Sequence, residues 1–160
     1  KLNLERGEDF GSIWYAFSLL DLSLPNTNLI YIIISVTLFV LFTKLLLQLK
    51  KTPTLAQVAL FAVVIFTTFS KVYSPQYILW LTPLAVIALQ NSRQQISFWF
   101  WQVTEIIYHF AIWQYLALYA GAEFGLPAGG YALATLLRVV GVGSFSYQLL
   151  RDLAVKSTAK

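Results

Sequence analysis

Apolar stretches separated by short polar connections dominate this sequence, and their lengths predict an all-α bundle of about five transmembrane helices. The stretches cover residues 28–49, 54–69, 76–89, 96–119 and 131–150. The first is uncharged except for Lys44 and is long enough to cross about 30 Å of hydrocarbon. The third has only ~14 residues and contains Pro83, so we expect it to be kinked, re-entrant or extended into residues 90–92.

The N-terminal residues follow a different pattern. Apolar residues recur at helical spacing between Phe10 and Leu24, but Ser12, Ser18 and Asp21 interrupt them. We therefore predict an amphipathic helix that begins after an N-cap at Asp9, ends at Pro25 and lies in the membrane interface. The predicted organisation is an extracytoplasmic segment (1–27), a transmembrane helix bundle (28–153) and a cytoplasmic basic tail (154–160).

Composition supports a membrane protein. Of the 160 residues, 58% are hydrophobic and only 11% are charged, whereas a soluble domain has about 25% charged residues. The mean hydropathy is +0.68. The net charge of +4 does not indicate a nucleic-acid-binding surface. Most of the Lys and Arg residues lie in the short connections, where they determine the orientation of the helices in the membrane.

The distribution of the cations predicts that residues 1–27 are extracytoplasmic and the C-terminus is cytoplasmic in a multi-pass protein of the plasma membrane. In this orientation Lys1, Arg6 and Lys71 lie outside and Arg138 lies within the bilayer. The cations expected on the cytoplasmic side are Lys44, Lys50, Lys51, Arg93, Arg151, Lys156 and Lys160. The opening residues, the segment around Lys71 and the loop 121–130 then share the outer face.

Two absent residue types narrow the chemistry. Without cysteine there is no disulfide, thiol nucleophile or cysteine-based metal site. The sequence also lacks methionine, and residues 1–9 do not resemble a signal peptide. We therefore expect a C-terminal fragment whose partners include the upstream part of the same chain.

A polar, proline-containing segment from Lys71 to Pro83 separates two of the apolar stretches. Lys71, Ser74 and Gln76 supply hydrogen-bond donors. Its aromatic residues, Tyr73, Tyr77 and Trp80, are of the kind found at the level of lipid headgroups. The residue chemistry leaves two interpretations open, an interfacial anchor and a functional loop.

Three ionisable residues fall within the predicted spans. Glu105 and His109 are four residues apart and share one helix face, and Arg138 is expected at roughly the depth of His109. Because an unpaired charge in the bilayer costs at least ~2.5 kcal/mol, Arg138 is expected to face Glu105 or His109. This group is interpreted as a structural ion pair, as part of an outward-opening cavity for a lipid phosphate, or as a proton relay.

The segment 71–81, Lys-Val-Tyr-Ser-Pro-Gln-Tyr-Ile-Leu-Trp-Leu, resembles part of the integral-membrane GT-C glycosyltransferases, especially the bacterial mannosyltransferase-like members. Residues 6–14, 101–105 and 113–116 resemble further segments of this group. The resemblance implies the C-terminal membrane part of an extracytoplasmic enzyme. Such an enzyme transfers a hexose, with mannose expected, from a polyprenyl-phosphate donor to a cell-envelope acceptor.

The resemblance also implies roles for individual residues. Lys71, Arg138 and Arg6 would neutralise the donor phosphate. The remaining predicted substrate-binding residues are Ser74, Gln76, Tyr77 and His109. The lipid bilayer and a polyprenyl-phosphate-linked sugar are the implied partners.

In such enzymes an acidic residue of the first extracytoplasmic loop is the base that activates the acceptor hydroxyl, and we expect this sequence to begin after that loop. No catalytic residue is therefore assigned and the fragment alone is expected to be inactive, with Glu8 or Asp9 as the candidate substitute base. The sequence contains no recognisable cofactor motif, and a divalent metal in the parent enzyme is left open. The alternative function is a non-enzymatic membrane bundle, part of a transporter or an assembly subunit.

Overall fold

The computed structural model describes residues 7–22, 24–49 and 52–158, and within these ranges all regular structure is helical. A 3-10 turn at Pro75–Tyr77 leads directly into the fourth of six α-helices. The helices are α1 (Ile13–Leu19), α2 (Thr27–Gln48), α3 (Leu55–Phe69), α4 (Ile78–Ala88), α5 (Ser92–Tyr119) and α6 (Ala128–Thr158). The predicted all-α class is confirmed.

Two of the described helices are long and apolar enough to cross a membrane, α2 and α6 as far as Ala154. Helices α3 and α4 are apolar but have only 15 and 11 residues, and α4 contains Pro83. Helix α5 has 28 residues, but polar side chains such as Gln94, Gln102 and Glu105 interrupt its sequence. Five full spans are therefore not confirmed, and the two apolar helices suggest membrane association.

Most predicted boundaries lie within a few residues of the observed ones. The largest difference is at the C-terminus, where α6 begins at Ala128 and continues to Thr158. Residues 154–158 of the predicted basic tail are therefore helical. The connection between α5 and α6 turns at Gly121 and Gly125, which have φ values of +94° and +152°, and such backbone conformations favour glycine.

Two hydrophobic cores lie one above the other in the bundle. The first, here called the mixed core, packs Leu60, Leu81, Trp101 and Phe145 with other residues of α3 to α6. The second, here called the tyrosine core, consists mainly of Tyr73, Tyr108, Ala111, Ile112, Tyr115, Tyr131 and Ala134. Buried polar residues separate the two cores and form a polar layer, namely Thr68, Thr104, Glu105, Thr135 and Arg138.

The two ends of the bundle are held differently. At one end the carboxylate of Asp152 on α6 accepts hydrogen bonds from Asn91 (2.6 Å), Gln94 (2.9 Å) and Gln148 (3.0 Å). These bonds fix the connection between α4 and α5 to the last helix. Residues 9–12, residues 70–77 and the α5–α6 connection meet at the other end.

The first helix differs from its prediction. Its N-cap is Ser12, whose hydroxyl accepts from the Tyr15 amide at 3.1 Å, whereas the carboxylate of Asp9 accepts from the Phe10 amide. The helix ends at Leu19 rather than at Pro25. Its apolar residues are buried against protein, and the indole of Trp14 donates to the Phe69 carbonyl at 2.9 Å. Helix α1 therefore packs with its apolar face against the other helices of the bundle.

Close approach of α5 and α6 depends on a small residue at position 141. A Cβ added to Gly141 would clash with the Thr104 hydroxyl, which is itself bonded to the Trp101 carbonyl at 2.7 Å. The same addition at Gly143, half a turn away, meets no atom within 4 Å.

The variant Gly141→Ala is expected to lower the free energy of unfolding by about 1–3 kcal/mol, because the extra methyl group overpacks the α5–α6 contact. The matched control Gly143→Ala should leave stability unchanged or raise it by up to ~1 kcal/mol. Thermal unfolding in detergent, followed by helical circular dichroism, measures both. Equal stability of the two variants would contradict the close packing.

Candidate functional site

The most unusual side chain of the structure is Arg138 on α6, which is only 2% exposed. Its guanidinium lies over the ring of Tyr73 at 3.4 Å and over the ring of Tyr108 at 4.4 Å. Its Nη2 donates to the carbonyl of Gly11 at 3.0 Å. A guanidinium is attracted to aromatic faces, and the attraction grows when water is excluded. The two rings and the carbonyl therefore stabilise a cation in the interior of the bundle.

Residues 9–12, here called the N-terminal strap, cover this guanidinium. The amide of Asp9 donates to the Lys71 carbonyl at 2.9 Å. The hydroxyl of Tyr131 donates to the Phe10 carbonyl at 2.7 Å. With the Gly11 bond to Arg138, three successive residues are bound through their backbone, one to the Lys71 segment and two to α6. The ring of Phe10 adds edge-on contacts with Tyr15, Tyr115 and Tyr119.

Tyrosine rings form the surroundings of the strap. Tyr115 and Tyr131 stack with their ring centres 4.5 Å apart and their planes 7° apart, and Tyr131 also stacks on Tyr108 at 6.2 Å. The hydroxyls of Tyr15 and Tyr115 share a hydrogen bond of 2.7 Å. Burial, together with this bond, raises the pKa of Tyr15 well above its ordinary value. The cluster thus presents neutral phenols that pack against the strap.

Glu105 lies on α5 in the same polar layer and is 3% exposed. Its Oε1 accepts from the indole of Trp101 at 2.9 Å, and its Oε2 has no hydrogen-bond partner among the described residues. The Nη1 of Arg138 likewise has none among them. Glu105 and Arg138 line the same small cavity, so the predicted proximity is present without a direct hydrogen bond between the two side chains.

None of the described hydrogen bonds joins His109 to Arg138. The ring is half-buried, and its Nδ1 lies 2.7 Å from the carbonyl oxygen of Glu105, one turn earlier on α5. The contact is local to the helix. His109 is therefore linked to Glu105 through the backbone of α5, and no described hydrogen bond joins it to Arg138.

The segment beginning at Lys71 divides into a buried and an exposed part. Lys71 is 7% exposed and Tyr73 is 3% exposed, whereas Gln76 is exposed and Ser74 is half-buried. Tyr77 is half-buried and stacks on the ring of Trp80 at 4.8 Å. Tyr73 is not an exposed anchor, because its ring is held in the interior of the bundle by the guanidinium of Arg138. The proposed substrate-binding residues of this segment therefore do not form one open surface.

The acidic residues before α1 have local partners. Glu8 accepts from the hydroxyl of Thr27 at 3.0 Å, and Asp9 accepts from the Phe10 amide at 3.0 Å. Arg6, the third predicted phosphate contact, lies outside the described residues. In the part of the chain that the structure describes, no group of three or more His, Asp or Glu side chains is arranged to hold a metal ion.

Sequence reasoning missed the residues that surround Arg138. Tyr108 and Tyr115 are seven residues apart and so lie on one helix face, which was the available signal. The sequence around Gly11 contains no such signal. In the structure a Cβ at this position would clash with the Tyr73 carbonyl and the Tyr108 hydroxyl. That constraint arises only when segments distant in sequence come together.

An apolar groove of about 350 Å³ runs between α2, α3 and α6. Its walls are almost wholly hydrophobic side chains, including Phe42 and Phe61. Thr68, Val139 and Val142 line both this groove and the small cavity beside Glu105 and Arg138. The groove and the small cavity therefore share part of a wall.

Comparisons with protein-family models, with curated proteins and with solved structures found no match. The functional evidence therefore consists of the chain's own geometry. Three features carry it, namely the buried guanidinium of Arg138, the N-terminal strap and the apolar groove.

The variant Gly11→Ala is expected to detach the strap, because the added Cβ overlaps the Tyr73 carbonyl and the Tyr108 hydroxyl. Separation of the strap from Arg138 leaves a buried cation with one partner fewer, so we expect a loss of at least ~2 kcal/mol in unfolding free energy. Gly7→Ala is the matched control, since a Cβ there meets nothing within 4 Å. Hydrogen exchange of the amide of Asp9 should accelerate in Gly11→Ala only. Unchanged protection would contradict this account of the strap.

The stability of the protein should fall at alkaline pH partly because of Tyr73. Burial raises the pKa of Tyr73 to about 12 from its ordinary value of 10.0, although nearby Arg138 opposes the shift. The folded state therefore holds the phenol proton between pH 10 and 12, whereas the unfolded chain releases it. This contribution, roughly 3 kcal/mol, is complete below pH 10 and is lost as the pH rises through 12.

The variant Tyr73→Phe keeps the ring over Arg138 and should show a shallower loss of stability between pH 10 and 12. The exposed Tyr147 on α6 provides the control variant Tyr147→Phe, whose slope should equal that of the parent protein. Chemical unfolding in detergent at a series of pH values measures the slopes. Identical slopes for all three proteins would show that Tyr73 makes no such contribution.

Proposed function

We propose that this protein is the C-terminal membrane part of an extracytoplasmic glycosyltransferase that uses a polyprenyl-phosphate sugar donor, with mannose as the expected sugar. The observation that carries the proposal is the apolar groove beside exposed helix α2, which shares part of its wall with the cavity next to Arg138. The resemblance of residues 71–81 to GT-C enzymes supplies the reaction class. In the proposal, the groove takes the isoprenoid chain and the nearby cations take the phosphate.

The properties of α2 support a place in the bilayer. None of its 22 residues is buried, and its mean hydropathy is 2.4. At 1.5 Å per residue the helix is about 33 Å long, enough to cross a hydrocarbon layer of about 30 Å. A continuous apolar surface of this size is rare on a soluble monomer. We therefore propose that α2 and the exposed apolar faces of α5 and α6 are in contact with lipid.

The distribution of charge supports an orientation. Arg93 and Arg151 lie at the end of the bundle fixed by Asp152, and Lys44 lies near the end of α2. The opposite end carries the strap. Because cytoplasmic segments are enriched in Lys and Arg, we propose that the strap end is extracytoplasmic and that the C-terminus is cytoplasmic. Lipid-linked sugars are consumed on that outer face in the enzymes that the sequence resembles.

The groove has the chemistry that a lipid-linked donor requires. An isoprenoid chain gains about 25 cal/mol for each Å² of apolar surface that it buries. A phosphate at the head of the chain needs cations, and an Arg guanidinium presents paired donors that match phosphate oxygens. Because the strap covers Arg138, the proposal requires donor binding to displace the strap from this side chain. The guanidinium would then stabilise the charge that develops on the leaving phosphate.

A non-enzymatic bundle is the second candidate, and one observation favours it. The described contacts of Arg138 are all internal, with Tyr73, Tyr108 and Gly11, and Glu105 is bound to Trp101 on its own helix. Such contacts suit charged residues that fix the packing of a transporter part or an assembly subunit. The two candidate functions differ in one requirement. The enzyme needs the strap to leave Arg138 during the reaction, whereas the non-enzymatic bundle needs it to stay bound.

Transfer of radiolabelled sugar from a polyprenyl-phosphate donor by the full-length protein in membranes tests the proposal. Gly143 lines the groove and has free space around it, so Gly143→Phe should fill the groove and lower transfer by roughly tenfold or more. Val140→Phe is the control, because Val140 lies on the same helix and is 59% exposed. Both variants should retain the abundance and thermal stability of the parent.

Lys71→Ala extends this test to the phosphate end of the proposed site and should also lower transfer. Activity that falls in both Gly143→Phe and Lys71→Ala, but not in Val140→Phe, would support the enzyme. No transfer from any donor, or full activity in the filled-groove variant, would favour the non-enzymatic bundle.

A further inference from the structure

The end of α2 nearest the strap is bound by a side chain that directly precedes the strap. The hydroxyl of Thr27, the first residue of α2, donates to Oε1 of Glu8 at 3.0 Å. The next residue, Asp9, begins the strap and donates its amide to the Lys71 carbonyl. We infer that the bond between Glu8 and Thr27 couples the position of the strap to the position of α2, and through α2 to the width of the apolar groove. The identity of the molecule that enters the groove rests on the proposed function, whereas the coupling does not.

The carboxylate of Glu8 also stabilises the start of α2. Among the described residues, the side chain of the N-cap residue Asn26 makes no capping hydrogen bond, and the first turn of α2 contains no acidic residue. The N-terminus of a helix carries a partial positive charge, which a nearby carboxylate stabilises. Glu8 supplies this carboxylate from a position 19 residues before Thr27. The start of α2 therefore depends on a segment that belongs to the strap and not to the helix itself.

Few other contacts hold this half of α2. None of the residues of the helix is buried. Phe42, and Leu49 directly after the helix, pack against the mixed core, and both lie toward the end of α2 away from the strap. Neither core, as described, includes a residue from the first half of the helix. Because segments with few buried contacts open at low free energy, the first half of α2 is the part that can move when the Glu8 bond breaks.

A tilt of α2 changes the groove because α2 forms one of its walls. Four residues of α2 line the groove, and Leu38 is the one nearest the strap. At 1.5 Å per residue, a tilt of about 10° around Leu49 moves Leu38 by about 3 Å and Leu29 by about 5 Å. A strap bound to Arg138 keeps Glu8 in place and the groove narrow. A displaced strap withdraws Glu8, so that α2 can tilt and widen the groove toward the bilayer.

Distances between spin labels on the full-length protein in nanodiscs test the coupling. One pair of exposed positions, Leu29 and Leu133, lies toward the strap end, and a second pair, Leu47 and Tyr147, lies toward the other end. The labels are attached to introduced cysteines, since the 160 residues contain none. We expect Glu8→Ala to shift the distance of the first pair by about 5 Å and to leave that of the second pair unchanged.

Variants of Thr27 show whether the hydrogen bond is responsible. Thr27→Val removes the donor and should give the same shift as Glu8→Ala, whereas Thr27→Ser keeps the hydroxyl and should give none. The double variant should shift no further than either single variant, because both remove one bond. Thr37→Val is the matched control, since it makes the same change at an exposed position of α2. An unchanged first distance in either Glu8→Ala or Thr27→Val would overturn the inference.

The link to the strap is tested from both sides. Gly11→Ala, which overlaps the Tyr73 carbonyl, should reproduce the shift of α2, and Gly7→Ala, whose Cβ meets nothing within 4 Å, should not. Because coupling is reciprocal, Thr27→Val should in turn accelerate hydrogen exchange of the Asp9 amide. Unchanged exchange in Thr27→Val, or a displaced strap with α2 in its original place, would overturn the coupling. No donor is present in these measurements, so a failure of the proposed enzyme would leave their outcome unaffected.

Discussion

Burial of the Arg138 guanidinium is the constraint on which the rest of the structure depends. A cation in the interior must be surrounded by groups that replace water, and here these are the faces of Tyr73 and Tyr108 and the carbonyl of Gly11. The three partners come from segments far apart in sequence. Satisfying one side chain therefore fixes the segment after α3, the register of α5 against α6 and the position of the strap.

The polar layer gives the bundle two cores with different roles. The mixed core holds α3 to α6 together by apolar packing, and the Asp152 carboxylate binds the α4–α5 connection at the end of the bundle away from the strap. The tyrosine core instead combines ring stacking with hydroxyl bonds, such as that from Tyr131 to Phe10. Aromatic residues with one polar atom suit a region where backbone groups of the strap must find partners. Both ends thus combine packing with hydrogen bonds, but only at the tyrosine core do these bonds hold the backbone of the strap.

The two candidate functions, the enzyme and the non-enzymatic bundle, require opposite behaviour of the strap. Transfer of a lipid-linked sugar requires Arg138 or its neighbours to reach a phosphate, so the strap must leave its place during the reaction. A structural role requires the strap to remain. Its backbone bonds to Lys71, Tyr131 and Arg138 are few and lie at one end of the bundle. Local opening of such a segment is less costly than unfolding of the helices beneath it.

The sequence by itself determined the helical class, most helix boundaries and the position of ionisable residues within apolar segments. Those features follow from local properties. Helix α2 is a continuous apolar run with a single charge, Lys44, and reciprocal hydrogen bonds between Thr54 and Gln57 start α3. Only the tertiary structure decided that Tyr73 is buried and that Arg138 is held by tyrosine rings and a carbonyl. The physical reason is that these outcomes depend on which surfaces meet between separate segments, up to 127 residues apart for Gly11 and Arg138, and hydrophobic periodicity carries no information about such pairings.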